Sequence, residues 1–534
     1  MKATTVLFNG DFHTMDEAIP RARAIAIDGN RVLAVGNEGD MQALLAPGGR
    51  AIDLGGRTVV PGLTDAHLHF MSYGISLKQV DLAEVPTLEE ALQRVEAGVV
   101  ATPAGGWVHG RGWDHSLWEG GAFPTKADLD TIAPENPVYL RRKCGHAGWA
   151  NSRALELAGI TAETPDPFGG AIDRDPGTGE PTGILKELAM DLVADLFEEP
   201  TLEEATEAIK TAIVNAHRLG ITSVHTMEGA AALSAFEQLE ADGELPLRVL
   251  IQIPEENLDA AIQLGLRSGF GNERLRIGGV KMFADGALGA RTAYMVEPFE
   301  GSEDDCGIPV ATAEHLKEAV GKAARAGIAS FVHAIGDRAN REVLDAVEAS
   351  RKAGEGRHLR HRIEHTQLLH PADLPRLAAL DVIASMQPIH ATQDMLLADA
   401  HWGARSAGAY AFRSLLDSGA VLAFGSDSPV EDLNVMKGIH AAVTRRRADG
   451  SPGPSGWYPE QRLTVDETVF AFTAGAAYAS GEEALKGTLS PGKLADLVVL
   501  SQDIFSVDPM AILETEVVAT MFDGEFVHGG ENVV

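Results

Sequence analysis

The sequence predicts an α/β chain built on a (β/α)8, or TIM, barrel, with a small β-sandwich from both termini and a large insertion after the first barrel strand. Three observations predict it. Short β-branched apolar runs end in polar residues and alternate with Ala/Leu/Glu-rich stretches of helical period, as parallel βα units do. The runs number eight, the count that closes such a barrel. Side chains able to bind metal recur at the C-terminal ends of several runs, the face on which barrels place catalytic groups.

The barrel strands read as Thr58–His67, Ile221–Thr226, Leu247–Ile253, Ile277–Phe283, Ile328–His333, His361–His365, Val382–Met386 and Val421–Gly425. Helical stretches such as Thr201–Leu219 and Ala313–Ala326 separate them. Residues 58–486 thus carry the barrel. Residues 1–57 and 487–534 read as short strands with hairpin turns. Neither end alone has enough strands for a core, so the two are expected to build one sandwich together. The stretch from about residue 72 to 204 is far longer than an ordinary βα loop. It carries Trp107, Trp113, Trp118 and Trp149, and on the catalytic face it is expected to cover a pocket.

Composition narrows the class of function. At 534 residues the chain exceeds the size at which one core stops growing, so at least two domains are expected. A formal net charge of −33 would repel phosphate backbones and anionic lipid, which argues against nucleic acid and membranes as partners and leaves a small molecule. The two cysteines, Cys144 and Cys306, make no disulfide framework and fit a reducing compartment. No signal-like N-terminal segment and no apolar run of membrane-spanning length is evident, so a cytoplasmic protein is expected. No phosphate-loop spacing points to a nucleotide.

The strongest local feature is VVPGLTDAHLHF. His67 and His69 lie two apart on a strand, so both imidazoles face one side and can bind one ion. Alone this is weak, because 18 histidines placed at random give about 0.6 such pairs. Context strengthens it. His333 ends IASFVH, His365 ends HRIEH, Asp427 follows VLAFGS, and Lys281 lies near the end of IGGVKMF. Each has an ordinary reading of its own: core histidines, a helix cap in SDSP, a lysine paired with Asp285. All four readings would have to coincide at strand ends.

Taken in order, several segments resemble the amidohydrolase superfamily, in the branch that contains YtcJ-like proteins and N-substituted formamide deformylases. They are VVPGLTDAHLH, GRGWDHSLWEGGAFPTKADLD, PVYLRRKCGHAGWANSRAL, GGVKMFADGALGARTA, VHAIGDRA, RIEHTQ, FGSDSPV and GTLSPGKLADLVVL. The resemblance covers nearly the whole chain. It implies His67 and His69 as first-strand metal ligands, Lys281 as the fourth-strand lysine, His333 and His365 as the fifth- and sixth-strand ligands, and Asp427 as ligand and catalytic acid–base. It also implies a homodimer.

The resemblance implies hydrolysis of a C–N bond other than a peptide bond, in a linear amide or N-substituted formamide, by metal-activated hydroxide with Asp427 as proton shuttle. Deamination or cyclic amide opening on the same site is the alternative, and a non-catalytic barrel scaffold is a third. Imidazole and carboxylate ligands suit several divalent ions; zinc is the first expectation, as one ion or two. Two ions need a bridging anion, which an amine cannot be and a carbamate on Lys281 (N6-carboxylysine) can. His225 ends the second strand and His390 follows the seventh, and both are candidates for contact with substrate or oxyanion. Trp113, His146 and Arg291 lie in segments of the resemblance and are expected to shape the pocket.

Overall fold

A computed structural model of the chain describes residues 2–197 and 200–533. Met1, Glu198, Glu199 and Val534, at the ends of the terminal segments and inside the insertion, lie outside the described residues. Eight strands pair in sequence order: β1 (Leu63–Leu68), β2 (Ile221–Thr226), β3 (Arg248–Pro254), β4 (Leu275–Phe283), β5 (Ala329–Ala334), β6 (Arg362–His365), β7 (Ile383–Met386) and β8 (Leu422–Phe424). Every pair is parallel. Hydrogen bonds outside the ladder join the last strand to the first. Asp427 N–H donates to His67 O at 2.7 Å, and His69 N–H donates to Ser428 O at 2.7 Å. The seam of the barrel is therefore closed by the residues expected to bind metal.

Helices pack outside because one face of each is apolar. In Leu202–Arg218, Ala205, Ala208, Ile209, Ala212, Ile213 and Ala216 recur at helical spacing and are buried. Thr201 and Glu204 close its N-terminus in a capping box. The helices Ala313–Arg325 and Asp337–Lys352 pack in the same way beside β5.

The run Thr58–His67, expected as one strand, is two. Thr58–Pro61 pairs with Leu497–Leu500 and Asp11–His13 in a six-stranded sheet, and the chain enters the barrel only at Leu63. Pro61 lacks an N–H to extend a ladder, and a Cβ on Gly62 would meet Thr222 Oγ1 at 2.2 Å. The crossing from one sheet to the other thus falls at Pro61–Gly62. A four-stranded sheet of Ala3–Phe8, Ala24–Asp28, Arg31–Gly36 and Leu45–Asp53 faces the six-stranded one. Leu7, Phe12, Ile25, Ile27, Val59, Leu497, Val499 and Met521 fill the space between them, from both ends of the chain.

Between β1 and β2 a separate six-stranded sheet carries its own core of Trp113, Trp118, Leu129, Leu140 and Trp149. The three indoles lie with ring centres 6.0–6.2 Å apart. No helix is long and apolar enough, among the described residues, to cross a membrane.

Candidate metal centre

His67, His365 and Asp427 offer ligand atoms that all lie within 4.8 Å of one another, and all three are buried. Asp427 Oδ1 stands 3.4 Å from His67 Nε2 and 3.5 Å from His69 Nε2. The ring of His333 is centred 4.6 Å from that of His365. Five of the six expected residues thus gather at the C-terminal ends of β1, β5, β6 and β8.

The hydrogen bonds dictate which nitrogen is free. His67 Nδ1 is 2.5 Å from Glu364 Oε2, so it donates and leaves the lone pair on Nε2. His69 donates from Nδ1 to Met227 O at 3.1 Å. His365 Nδ1 faces Gln387 Oε1 at 2.9 Å, and His333 Nε2 donates to Gly286 O at 2.9 Å. Each imidazole keeps one acceptor nitrogen uncommitted. His67 Nε2 is buried without any hydrogen-bond partner. A buried, unsatisfied acceptor costs about 1–3 kcal/mol, which a cation at that point would remove. The donor set of imidazoles and one carboxylate fits a divalent metal.

A second group, Asp11, His13 and Asp503, has similar spacing and opposite chemistry. Arg21 Nη1 is 2.9 Å from His13 Nδ1, so the ring proton sits on Nε2, facing the carboxylates. That nitrogen has no lone pair for an ion, and a guanidinium stands beside it.

Behind the ligands is a layer of charge. Arg362 Nε is 2.8 Å from Glu364 Oε1, and its Nη2 donates to Ala66 O at 2.6 Å and Ser385 Oγ at 2.7 Å. Burial alone would raise the Glu364 carboxyl. Arg362 and His67 overcome this and hold it well below the usual carboxylate range. Burial likewise opposes ionisation of Asp427, and contacts with His67 and His69 hold it well below its ordinary value. Asp285 accepts backbone N–H groups of Ile335, Gly336 and Tyr294 at 2.7–2.9 Å, and burial still pushes it up to about 7. His365 and Asp427 have φ of 75° and 61°, a left-handed backbone that costs about 1–3 kcal/mol each in a non-glycine residue. The seam hydrogen bond from Asp427 to His67 holds this conformation.

A family model for the amidohydrolase family matches residues 50–528. The chain belongs to the amidohydrolase family. It is similar to Protein LONG AFTER FAR-RED 3 of Arabidopsis thaliana, at 35% identity over 98% of this chain and 91% of that one. It is 28% identical to the N-substituted formamide deformylase of Arthrobacter pascens, over 97% of each. The crystal structure of an uncharacterized metal-dependent hydrolase from Pyrococcus horikoshii superposes with a TM-score of 0.78 at 31% identity, covering 95% of this chain and 99% of that one.

In this amidohydrolase a cavity of about 40 Å³ lies over the histidines, lined by His333, His365, His390 and Asp427 from the barrel and by Arg142, Cys144 and His146 from the insertion. His390 Nε2 is buried, unpartnered and 3.9 Å from Asp427 Oδ2. His146 lies 5.2 Å from the His333 ring. Burial would lower its pKa, but Glu187 at 2.7 Å raises it to about 9, so the ring is cationic at neutral pH.

Lys281 is buried at the end of β4 with no hydrogen bond or ion pair among the described residues. Burial pulls its amine down to about 8, against the pull of Glu364 and Asp427. It opens onto a neighbouring cavity of about 640 Å³ beside Met227, Gln252 and Phe283.

Three expected pocket residues sit elsewhere. Trp113 is fully buried in the insertion core and donates from its indole to Leu140 O at 2.8 Å. A register shift at Gly112 breaks the strand alternation and turns the indole onto the core face with Val108 and Leu140. His225 is fully buried inside the barrel, its Nδ1 3.0 Å from Arg362 Nη1. Arg291 is partly exposed, pairs with Asp305 at 3.0 Å, and lines an outer cavity of about 750 Å³ that shares Gly289 and Leu397 with the small one.

Sequence reasoning missed Glu364, Arg362 and Asp285. For Arg362 and Glu364 a signal was present in HRIEH: opposite charges two apart share one face of a strand and must pair when that strand is buried.

Proposed function

We propose that the chain hydrolyses the C–N bond of a linear amide, with N-substituted formamides as the leading substrate class. The observation that carries this is the convergence of His67, His365 and Asp427 within 4.8 Å beside a cavity of only about 40 Å³. That space suits a formyl-sized acyl group. The adjoining 750 Å³ cavity, with Phe123, Ile308 and Leu396 on its wall, suits an apolar nitrogen substituent. The relative that is an N-substituted formamide deformylase supports the same class.

His67, His69, His333, His365 and Asp427 would hold a divalent ion, zinc by first preference, and a carbamate on Lys281 would admit a second. The ion supplies Lewis acidity, polarising a carbonyl and acidifying water. The chain's own groups do the rest. Asp427 takes the proton of the attacking water and passes it to the departing nitrogen. His390, whose Nδ1 faces the Gln367 amide at 3.4 Å, presents Nε2–H toward Asp427 and can donate to a developing oxyanion. Cationic His146 adds positive potential at the same place. The low pKa of Lys281 leaves a fraction of free amine near neutrality, the form that adds to carbon dioxide.

The test joins metal analysis to product detection. Metal-loaded protein should release formate from N-alkylformamides, lose that activity on chelation, and show the mass of one added carboxyl group on Lys281. Release of ammonia from amino-heterocycles without formate would reassign it as a deaminase. Indifference to metal removal would end the reading.

A further inference from the structure

We propose that a second cavity, at the N-terminal end of the barrel strands, is a binding site for an organic oxyanion. The cavity encloses about 780 Å³. Its walls are the turns that precede strands: residues 267–269 before β4, 324–327 before β5 and 354–360 before β6. It therefore lies at the end of the barrel opposite the metal centre.

Its charge inverts that of the molecule. The chain carries 77 acidic and 44 basic side chains. Here Arg267, Arg276, Arg325, Arg357 and Arg360 line one space together with a single carboxylate, Glu355. Three of these guanidinia are balanced: Arg325 by Glu355, Arg360 by Glu483, and Arg276 by Glu482 at 3.6 Å. Arg267 and Arg357 are exposed, and among the described residues neither has a carboxylate within ion-pair distance. The Nε of Arg276 is buried with no hydrogen-bond partner among the described residues. An acidic surface offers these arginines many potential counter-ions, yet two are left free and one is left partly unsatisfied at the same opening.

The floor explains why an ion alone is not the best fit. Leu250, Ala329, Phe331 and Leu359 form a small apolar cluster beneath the arginines. An apolar wall strengthens a guanidinium–oxyanion contact by excluding water, and the space of about 780 Å³ admits more than a bare ion. Phosphate monoesters and aromatic carboxylates share that chemistry, and the planar guanidinium fork matches both groups. The site is not a route to the metal. It shares no lining residue with the cavity over the metal ligands, and Phe331 on its floor stacks under Arg362 at 4.5 Å.

The experiment is a calorimetric titration of metal-loaded protein with adenosine monophosphate, as the phosphate probe, and with phthalate, as the carboxylate probe. Wild type and the double variant Arg267→Gln/Arg357→Gln are compared. Both positions are exposed, so the variant's thermal midpoint without anion should match wild type. Saturable binding of one probe or both, weakened about tenfold or more in the variant and weakened by added salt, is expected. Which probe binds identifies the anion class. Absence of saturable binding by either, or affinity unchanged by the double substitution, would overturn the proposal.

Discussion

At the scale of the residue, the centre is a set of imidazoles whose ring protons are already committed. Glu364 fixes His67, and Arg362 fixes Glu364. Exchange of Glu364 for Gln keeps the shape but replaces a charged acceptor with a neutral one that can also present an N–H. The expected result is a metal affinity about 10–100-fold weaker, measured by competition with a chelator dye, with the thermal midpoint of the metal-free protein moved far less. Asp427→Asn should behave in the opposite way. It should keep metal and lose turnover by a factor of about 10² or more, since the proton relay disappears while four imidazoles remain. Retained turnover would reassign the base. The ligands themselves were readable because they stand at strand ends, His67 and His69 with a spacing of two. The supporting charges were only half legible: Arg362 and Glu364 share a strand face in HRIEH, but nothing in that segment points to His67 as the group they hold. Trp113 misled because an aromatic residue in a covering segment reads alike whether it faces a pocket or its own core; only strand register separates the two.

At the scale of the element, the contact between barrel and terminal sheets is carried by a buried cation. Arg248, at the start of β3, reaches Asp496 at 2.6 and 2.9 Å and also bonds Asp523, and Arg274 reaches Asp523 at 2.8 Å. Arg248 and Asp496 are nearly inaccessible, at 1% and 6% exposure. Removal of one partner leaves a buried charge uncompensated, so Asp496→Ala should cost about 3–5 kcal/mol, read from the urea midpoint of the first unfolding transition. A loss below about 1 kcal/mol would mean that water or Asp523 replaces the missing carboxylate. All eight barrel strands could be located from their β-branched runs. The break at Gly62 could not, because TVVPGLTDAH reads as one continuous strand unless the close approach of Thr222 is known. The mixed sheet of the insertion was hidden for a related reason. Its strands Val108–Trp113 and Ala147–Ala150 are rich in glycine and tryptophan, and lack the alternation that marks strands half-exposed to water.

At the scale of the whole molecule, the buried histidines outside the metal centre set how the fold responds to acid. His13, His115 and His440 are lowered to about 4 and His361 to about 3, in each case chiefly by burial, with a nearby arginine adding to it. In the unfolded chain these rings titrate near the ordinary value of 6.5. Between 6.5 and about 4 these rings bind more protons in the unfolded state than in the folded one; Asp65 and Asp285, which burial pushes up to about 7, work against this, but the four imidazoles outnumber them and stability falls as pH falls through that window. Net charge works the other way. A formal charge of −33 destabilises the compact state by self-repulsion, and acid relieves it as carboxylates protonate, mostly below about pH 4.5. The two effects occupy different ranges, so they can be told apart. Metal-free protein, in which ligand protonation cannot add a metal-release term, should show a urea midpoint that declines steadily from pH 7 to about 4.5. Exchange of His361 for Asn, which keeps an acceptor for the Ser330 N–H, should flatten part of that decline. A midpoint constant over this range would show that the buried imidazoles take up protons without unfolding, and that the low pKa values inferred from their burial do not hold.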